Sequence, residues 1–139
     1  MSHDFKVEVL TPAKELITTT ATEVLLPTAK GEIGILPQHV DICGLLSTGT
    51  MKLVNQGNDF WFMISGGAFR VENGVLTILA EYALGAENVE NAITESRLKE
   101  VEADLSKISN TLDPKHLELT IEKNRLNASL EASRRHTMS

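Results

Sequence analysis

Near the start of the chain, apolar residues fall on every second position. Phe5, Val7 and Val9 alternate with Lys6 and Glu8, the period of a strand with one face in water. Residues 18–26, rich in Thr, Val and Leu and stopped by Pro27, predict a second strand. Residues 48–54 predict a third, closed by the turn-forming stretch Asn55-Gln56-Gly57-Asn58. Residues 60–64 follow, with Ser65-Gly66-Gly67 read as a tight turn after them. The sharpest local signal is Asn73-Gly74 between residues 68–72 and 75–80. Both turn positions tolerate positive φ, so this is a two-residue hairpin. Many short strands with regular turns imply a sandwich or flattened barrel. Two of these strands are apolar on both faces: Phe60, Phe62 and Ile64 on one side of the first and Trp61 and Met63 on the other, with residues 75–79 behaving similarly. An antiparallel sheet ordinarily leaves one face wet, so the second face calls for cover, from the C-terminal segment or from another subunit.

Beyond residue 85 the period changes. Leu98, Val101, Leu105, Ile108 and Leu112 follow 3,4,3,4 spacing, the seam of a helix paired with another helix. Residues 109–114 break the pattern, with Asp113 as N-cap and Pro114 at the first helical position, where a missing N–H costs nothing. So short a link predicts an antiparallel pair. The second helix carries two stripes, Leu117, Ile121 and Ala128 on one side and Leu119, Leu126 and Leu130 nearly opposite. One stripe can face the first helix; the other needs a second partner, and such a helix can exchange partners.

Composition sharpens the boundary. All nine glycines lie at or before Gly85, as do all the aromatic residues, and residues 86–139 hold 18 of the charged residues in 54 positions against 14 in residues 1–85. The expectation is an α+β chain: an N-terminal antiparallel β-sandwich over residues 1–85, then an antiparallel two-helix hairpin over residues 86–139. The longest runs free of charge and His, residues 42–51 and 60–69, are ten residues, too short to span a bilayer. Residues 1–6 show neither a basic nor an apolar leader segment, and a single cysteine, Cys43, forms no internal disulfide. A net charge of −6 and a pI near 5.2 argue against a general nucleic-acid binder.

Catalytic patterns are sparse. His3, His39, His116 and His136 lack metal-ligand spacing, and one cysteine builds no zinc cage. Gly66-Gly67 lacks the Gly-Lys-Ser/Thr of a phosphate loop. A triad of Ser65 with His39 and Asp41 lacks the Gly-x-Ser-x-Gly context, because Met63 and Gly67 flank the serine. Carboxylate pairs such as Glu100/Glu102 and Glu118/Glu122 read as solvated helix faces, and Cys43 reads as a small core residue. The remaining informative stretch is Gly31-Glu32-Ile33-Gly34-Ile35-Leu36-Pro37-Gln38-His39. Two glycines and a proline demand a fixed backbone path. It is either a long turn or a contact surface presenting Glu32 and His39.

That stretch resembles the Gly-Glu-x-Gly-x-x-Pro-x-His loop of the epsilon subunit of bacterial and chloroplast F-type ATP synthase. Residues 64–81, Ile-Ser-Gly-Gly-Ala-Phe-Arg-Val-Glu-Asn-Gly-Val-Leu-Thr-Ile-Leu-Ala-Glu, resemble the same family's Ser-Gly-Gly hairpin, and the opening Phe5-Lys-Val-Glu-Val-Leu-Thr-Pro12 also fits. The resemblance implies a non-catalytic rotor subunit with no cofactor. It would bind the gamma shaft and the c-ring in the central stalk and couple ring rotation to ATP synthesis. It would sit at the cytoplasmic face of the bacterial inner membrane, held there only through the synthase. It also implies a helical hairpin that folds on the sandwich or extends into the catalytic head and inhibits ATP hydrolysis. Carried over by position, Glu32 and His39 face the c-ring or the stalk interface. Trp61 and Met63, on the greasy outer face, are the candidates for the gamma contact. Lys123, Arg125, Arg134 and Arg135, with Lys115, are candidates for meeting acidic residues of the catalytic alpha and beta subunits, against the reading of a solvated basic face.

The chain departs from the family in places. Val40-Asp41 follows His39 where many members have Ala-Pro, and Gln38 replaces a common glycine. Some members bind ATP through Leu/Ile-Asp-x-x-Arg-Ala; the matching stretch here is Val89-Glu90-Asn91-Ala92-Ile93-Thr94, in which Ile93 stands where a phosphate would need the arginine. Weak or no ATP binding is therefore expected. Two other classes stand beside the leading one: a free-standing sandwich and coiled-coil adaptor or chaperone, and a small hydrolase using Ser65 or Cys43.

Overall fold

The computed structural model describes residues 4–38 and 40–138. Eight strands come first: β1 (Phe5–Leu10), β2 (Glu15–Ala21), β3 (Glu23–Thr28), β4 (Gly31–Ile35), β5 (Ile42–Leu45), β6 (Gly49–Asn55), β7 (Asn58–Glu72) and β8 (Val75–Gly85). A short 3-10 turn, Ala86–Asn88, leads into α1 (Asn91–Ser106) and α2 (Pro114–Met138). The strands run in the order β2-β1-β8-β7-β6-β3-β4, with β5 also on β7. The β1–β8 pair is parallel and the other pairs are antiparallel.

The long strand β7 joins the two layers of the sandwich. β6 pairs with its first part, Gly49 opposite Ile64, and β5 with its last part, Leu45 opposite Ala68, both on the same edge. Between these lie Gly66 and Gly67, with φ of 73° and 108°. The reading of Ser65-Gly66-Gly67 as a strand-closing turn is thus corrected, because β7 continues through them with its register to β8 unchanged on either side. The positive φ values bend the strand and shift its alternation. Before the bend Phe62 and Ile64 point into the core; after it Phe69 and Val71 do. A Cβ on Gly67 would lie 2.0 Å from the Leu79 carbonyl oxygen, so only glycine lets the two backbones come this close.

A second correction concerns residues 18–26. They form parts of two strands, β2 and β3, separated at Thr22, whose N–H donates to the Val54 carbonyl at 2.8 Å. The first pairs with β1 and the second with β4 and β6, so the chain crosses between layers there. Residues 31–35, read as loop, are strand β4. The Asn73-Gly74 hairpin forms as expected, with φ of 52° and 75° and Glu72 opposite Val75. One core fills the sandwich, with Val7, Val9, Val24, Leu26, Leu76 and Ile78 fully buried among its members.

In the helical part, Asp113 Oδ1 accepts the Lys115 N–H at 2.9 Å, the N-cap contact expected at the start of α2. The seam of α1 is shorter than its sequence pattern. Val101 is buried and Leu98 and Leu105 are half-buried, but the helix ends at Ser106, and Leu112 is 88% exposed. Two side chains compete with the helix there. Ser106 Oγ donates to the Ala103 carbonyl at 2.6 Å, and Asn110 Oδ1 accepts the Leu112 N–H at 3.0 Å. The two stripes on α2 are also redrawn. Leu119 and Ala128, one from each stripe, are buried together with Ser129, Ala132 and Ser133, whereas Leu117 and Ile121 stay exposed. The first half of α2 pairs with α1 and the second half lies on β6 and β7.

Candidate functional site

The surface where α2 meets the sandwich concentrates the unusual chemistry. Alternation along β7 places Trp61, Met63 and Ser65 on its outer side, under α2. Met63 is 1% exposed and Ser65 2%. The second apolar face of β7 is therefore covered from within the chain. Met63 is not available to a partner while α2 is docked, so of the two covers considered for this face the C-terminal segment supplies it. Small side chains allow the close approach: Ala128, Ser129, Ala132 and Ser133 form the buried strip of α2 between Arg125 and Arg135.

Those two arginines mark the ends of the interface. Arg125 Nε donates to Ser65 Oγ at 2.8 Å, and Ser65 Oγ shares a further hydrogen bond with Thr48 Oγ1, also at 2.8 Å. The Arg125 guanidinium lies 5.3 Å from the centre of the Tyr82 ring, and Tyr82 is the cross-strand partner of Ser65. At the other end Arg135 lies 5.5 Å from the Trp61 ring centre, and Lys52, the cross-strand partner of Trp61, lies 5.9 Å from it. Ten residues of helix rise about 15 Å and four of strand about 13 Å, so α2 runs antiparallel along β7 with the contacts in step. A cleft of about 380 Å³ opens beside Arg125, between Met63, Tyr82, Ile121 and Ser129.

The helices are joined to each other differently. Arg97 makes a bidentate pair with Glu122, at 2.7 Å from Nε and 2.8 Å from Nη2, and Lys123 lies 3.9 Å from Glu102. The Arg97 hydrogen bonds, with its charge, hold the Glu122 carboxyl below its ordinary range against a smaller opposing effect of burial. Glu131 is likewise lowered, first by Arg134 and then by Arg135. All five cations singled out on α2 are therefore engaged: Lys115 with Glu118, Lys123 with Glu102, Arg125 with Ser65 and Tyr82, and Arg134 and Arg135 with Glu131.

The other layer of the sandwich has an uncovered apolar face. Leu45, Ala68, Leu79 and Leu10 are successive cross-strand partners, a row across β5, β7, β8 and β1. Leu45 is 69% and Leu79 53% exposed. A groove of about 370 Å³ runs beside Leu10, Pro12 and Leu79. Glu32 is exposed on β4, the terminal strand of the sheet path, opposite Pro27. His39 lies outside the described residues.

Among the described residues, Ser65 and Asp41, two members of the triad considered above, are not brought together. Ser65 bonds Thr48 and Arg125, and Asp41 Oδ1 accepts the Asn73 N–H at 3.2 Å, at the hairpin turn far along β7 from Ser65. Cys43 is exposed, not a core residue. Among the described residues no group of three or more His, Cys, Asp or Glu is placed to hold a metal, and no helix is long and apolar enough to cross a membrane. Sequence reasoning missed Ser65, Thr48 and Tyr82 as a docking cluster. The signal was the alternation itself, which puts Ser65 on the side of Trp61 and Met63 once the strand is allowed to continue.

Residues 4–86, which hold all eight strands, match the family described as ATP synthase, Delta/Epsilon chain, beta-sandwich domain. The chain belongs to this family. The ATP synthase epsilon chain of Desulforamulus reducens is 28% identical over 131 residues, 93% of this chain and 99% of that protein. The ATP synthase epsilon chain of Neisseria meningitidis serogroup C is 32% identical over 103 residues, 73% of this chain and 74% of its own length. A chain of the Euglena gracilis mitochondrial ATP synthase OSCP/F1/c-ring assembly shares the fold at a TM-score of 0.81 and 19% identity, over 96% of this chain and 83% of that one. The matched span covers the β layers, including the glycine-bent strand β7. The helices that follow, docked through Arg125 and Arg135, lie beyond the matched span.

Proposed function

We propose that this epsilon-family chain is a non-catalytic rotor subunit of an H⁺-transporting F-type ATP synthase. Its sandwich couples the c-ring to the gamma shaft, and its helical hairpin restrains ATP hydrolysis. The observation that carries the reading is the division of the sandwich into two apolar outer faces. One is covered by the chain's own helix and the other is left open. A rigid plate with one open apolar face suits permanent clamping to a neighbour, and a face covered by a docked helix suits regulation.

The open row Leu45, Ala68, Leu79 and Leu10 is the better candidate for the shaft contact. Trp61 and Met63 serve there only if the hairpin leaves. Glu32, on the terminal strand, presents its carboxylate toward the ring or stalk. The cations of α2 meet acidic residues of the catalytic head when the hairpin extends. Membrane association is through the synthase, at the cytoplasmic face of a bacterial inner membrane.

The decisive experiment deletes residues 87–139 in the assembled synthase and measures ATP-driven proton pumping and ATPase activity. The expected result is retained coupling with altered hydrolysis. Lost coupling would move the mechanical role into the helices, and unaltered hydrolysis would remove the regulatory one.

A further inference from the structure

The two joints of the hairpin are built from different chemistry. Between the helices, cations meet carboxylates: the bidentate Arg97–Glu122 pair and Lys123–Glu102. Between α2 and the sandwich, Arg125 meets neutral groups, the Ser65 hydroxyl and the face of Tyr82. The Arg97–Glu122 pair sets opposite charges against each other through two hydrogen bonds, whereas Arg125 gives one hydrogen bond to an uncharged hydroxyl and lies over a ring. The helix–helix joint is thus the firmer of the two. The sandwich joint holds its arginine with groups that carry no charge. Removing the arginine does not strand the serine, because Ser65 keeps its hydrogen bond to Thr48.

We infer that Arg125 is an exchangeable latch: docked on Ser65 and Tyr82 it keeps α2 on the sandwich, and an acidic protein surface releases α2, still paired with α1, by taking that arginine. The inference rests on the proposed hairpin function for its biological partner, but not for the latch itself, which is a property of the isolated chain. The rest of the interface agrees with a releasable contact. Its buried helix strip is Ala and Ser rather than Leu, so α2 itself gives up little apolar area on opening, and the large apolar side chain uncovered on the sandwich is Met63. Trp61, the single tryptophan of the chain, lies under the far end of the same interface and reports on it.

The test uses the full isolated chain at low salt. Hydrogen exchange is followed in the second half of α2 and in the β7–β8 hairpin, together with Trp61 emission. Arg125→Met keeps the apolar stem and removes the guanidinium. Tyr82→Leu keeps bulk and removes the ring face. Each is expected to speed exchange in the second half of α2, about tenfold for Arg125→Met, and to shift Trp61 emission to the red, while exchange in the β7–β8 hairpin stays unchanged. Polyglutamate, the acidic probe, is expected to do the same to the unaltered chain and to have little further effect on Arg125→Met. Protection of α2 that is unchanged in Arg125→Met overturns the latch, and an unaltered chain that ignores polyglutamate overturns the exchange. Failure of the functional reading looks different: deletion of residues 87–139 would leave ATPase activity unaltered while these results on the isolated chain stood.

Discussion

Ser65 and Tyr82 face each other across β7 and β8, and Arg125, sixty residues along the chain from Ser65, binds the first while lying over the second. A sheet that pairs a buried hydroxyl with an aromatic ring on its outer side is a ready seat for a guanidinium, which satisfies both at once. Around this seat the apolar Met63 is sealed, so the helix position and the sandwich surface are set together.

The bend of β7 gives the first prediction. Gly67 combines a φ of 108° with a contact of 2.0 Å between an added Cβ and the Leu79 carbonyl oxygen. Gly67→Ala should lower stability by about 3 kcal/mol or more. Gly57→Ala, at a φ of 79° in open space, should cost only about 1 kcal/mol. Urea unfolding of the two variants checks the difference; equal losses would mean that the bend tolerates a side chain.

The Arg97–Glu122 pair predicts acid sensitivity of the helix pairing. Glu122 is lowered from 4.5 by its hydrogen bond from Arg97. A carboxylate whose folded pKa is depressed contributes stability that is fully present above its unfolded value and is lost as pH falls through the folded one. The joint between α1 and α2 should therefore hold at pH 5 and loosen below about pH 4. Both side chains are partly in water, so the effect should be modest and weaker at high salt. Exchange rates in α1 between pH 5 and 3 measure it, and Glu122→Gln should flatten that pH response.

The open apolar row predicts a surface that serves binding more than folding. Leu79 is half in water, so Leu79→Asp should cost about 1 kcal/mol or less of stability in thermal unfolding. The same change should weaken retention of the chain by an assembled synthase at least tenfold, read by co-purification with the gamma subunit. Full retention would move the shaft contact elsewhere on the sandwich.

Ile93 predicts a nucleotide result. It is 64% exposed, an apolar side chain at the position that the resemblance matches to the arginine of an ATP-binding motif. Calorimetric titration of the isolated chain with ATP should give no micromolar affinity. Ile93→Arg is the variant in which binding should appear if the position alone is responsible.

Several features were open to reading from the residues. The alternation of Phe5, Val7 and Val9, the Asn73-Gly74 turn and the Asp113-Pro114 helix start are local, and each formed as its chemistry requires, since neighbouring positions carry the whole signal. Long-range geometry settled the rest. Ser65-Gly66-Gly67 has turn composition, yet β5, β6 and β8 pair along β7 on both sides of it and turn a stop into a bend. The cover over Met63 and the partner of Arg125 are contacts between residues some sixty positions apart, and no spacing rule reaches that far. The heptad ran on to Leu112 in sequence, but the helix stopped at Ser106, where side-chain hydrogen bonds won over periodicity. Patterning thus sets which elements exist and which faces are apolar, because those depend on the nearest few residues. Which apolar face a helix takes, and which it leaves for a neighbour, depends on how the layers stack.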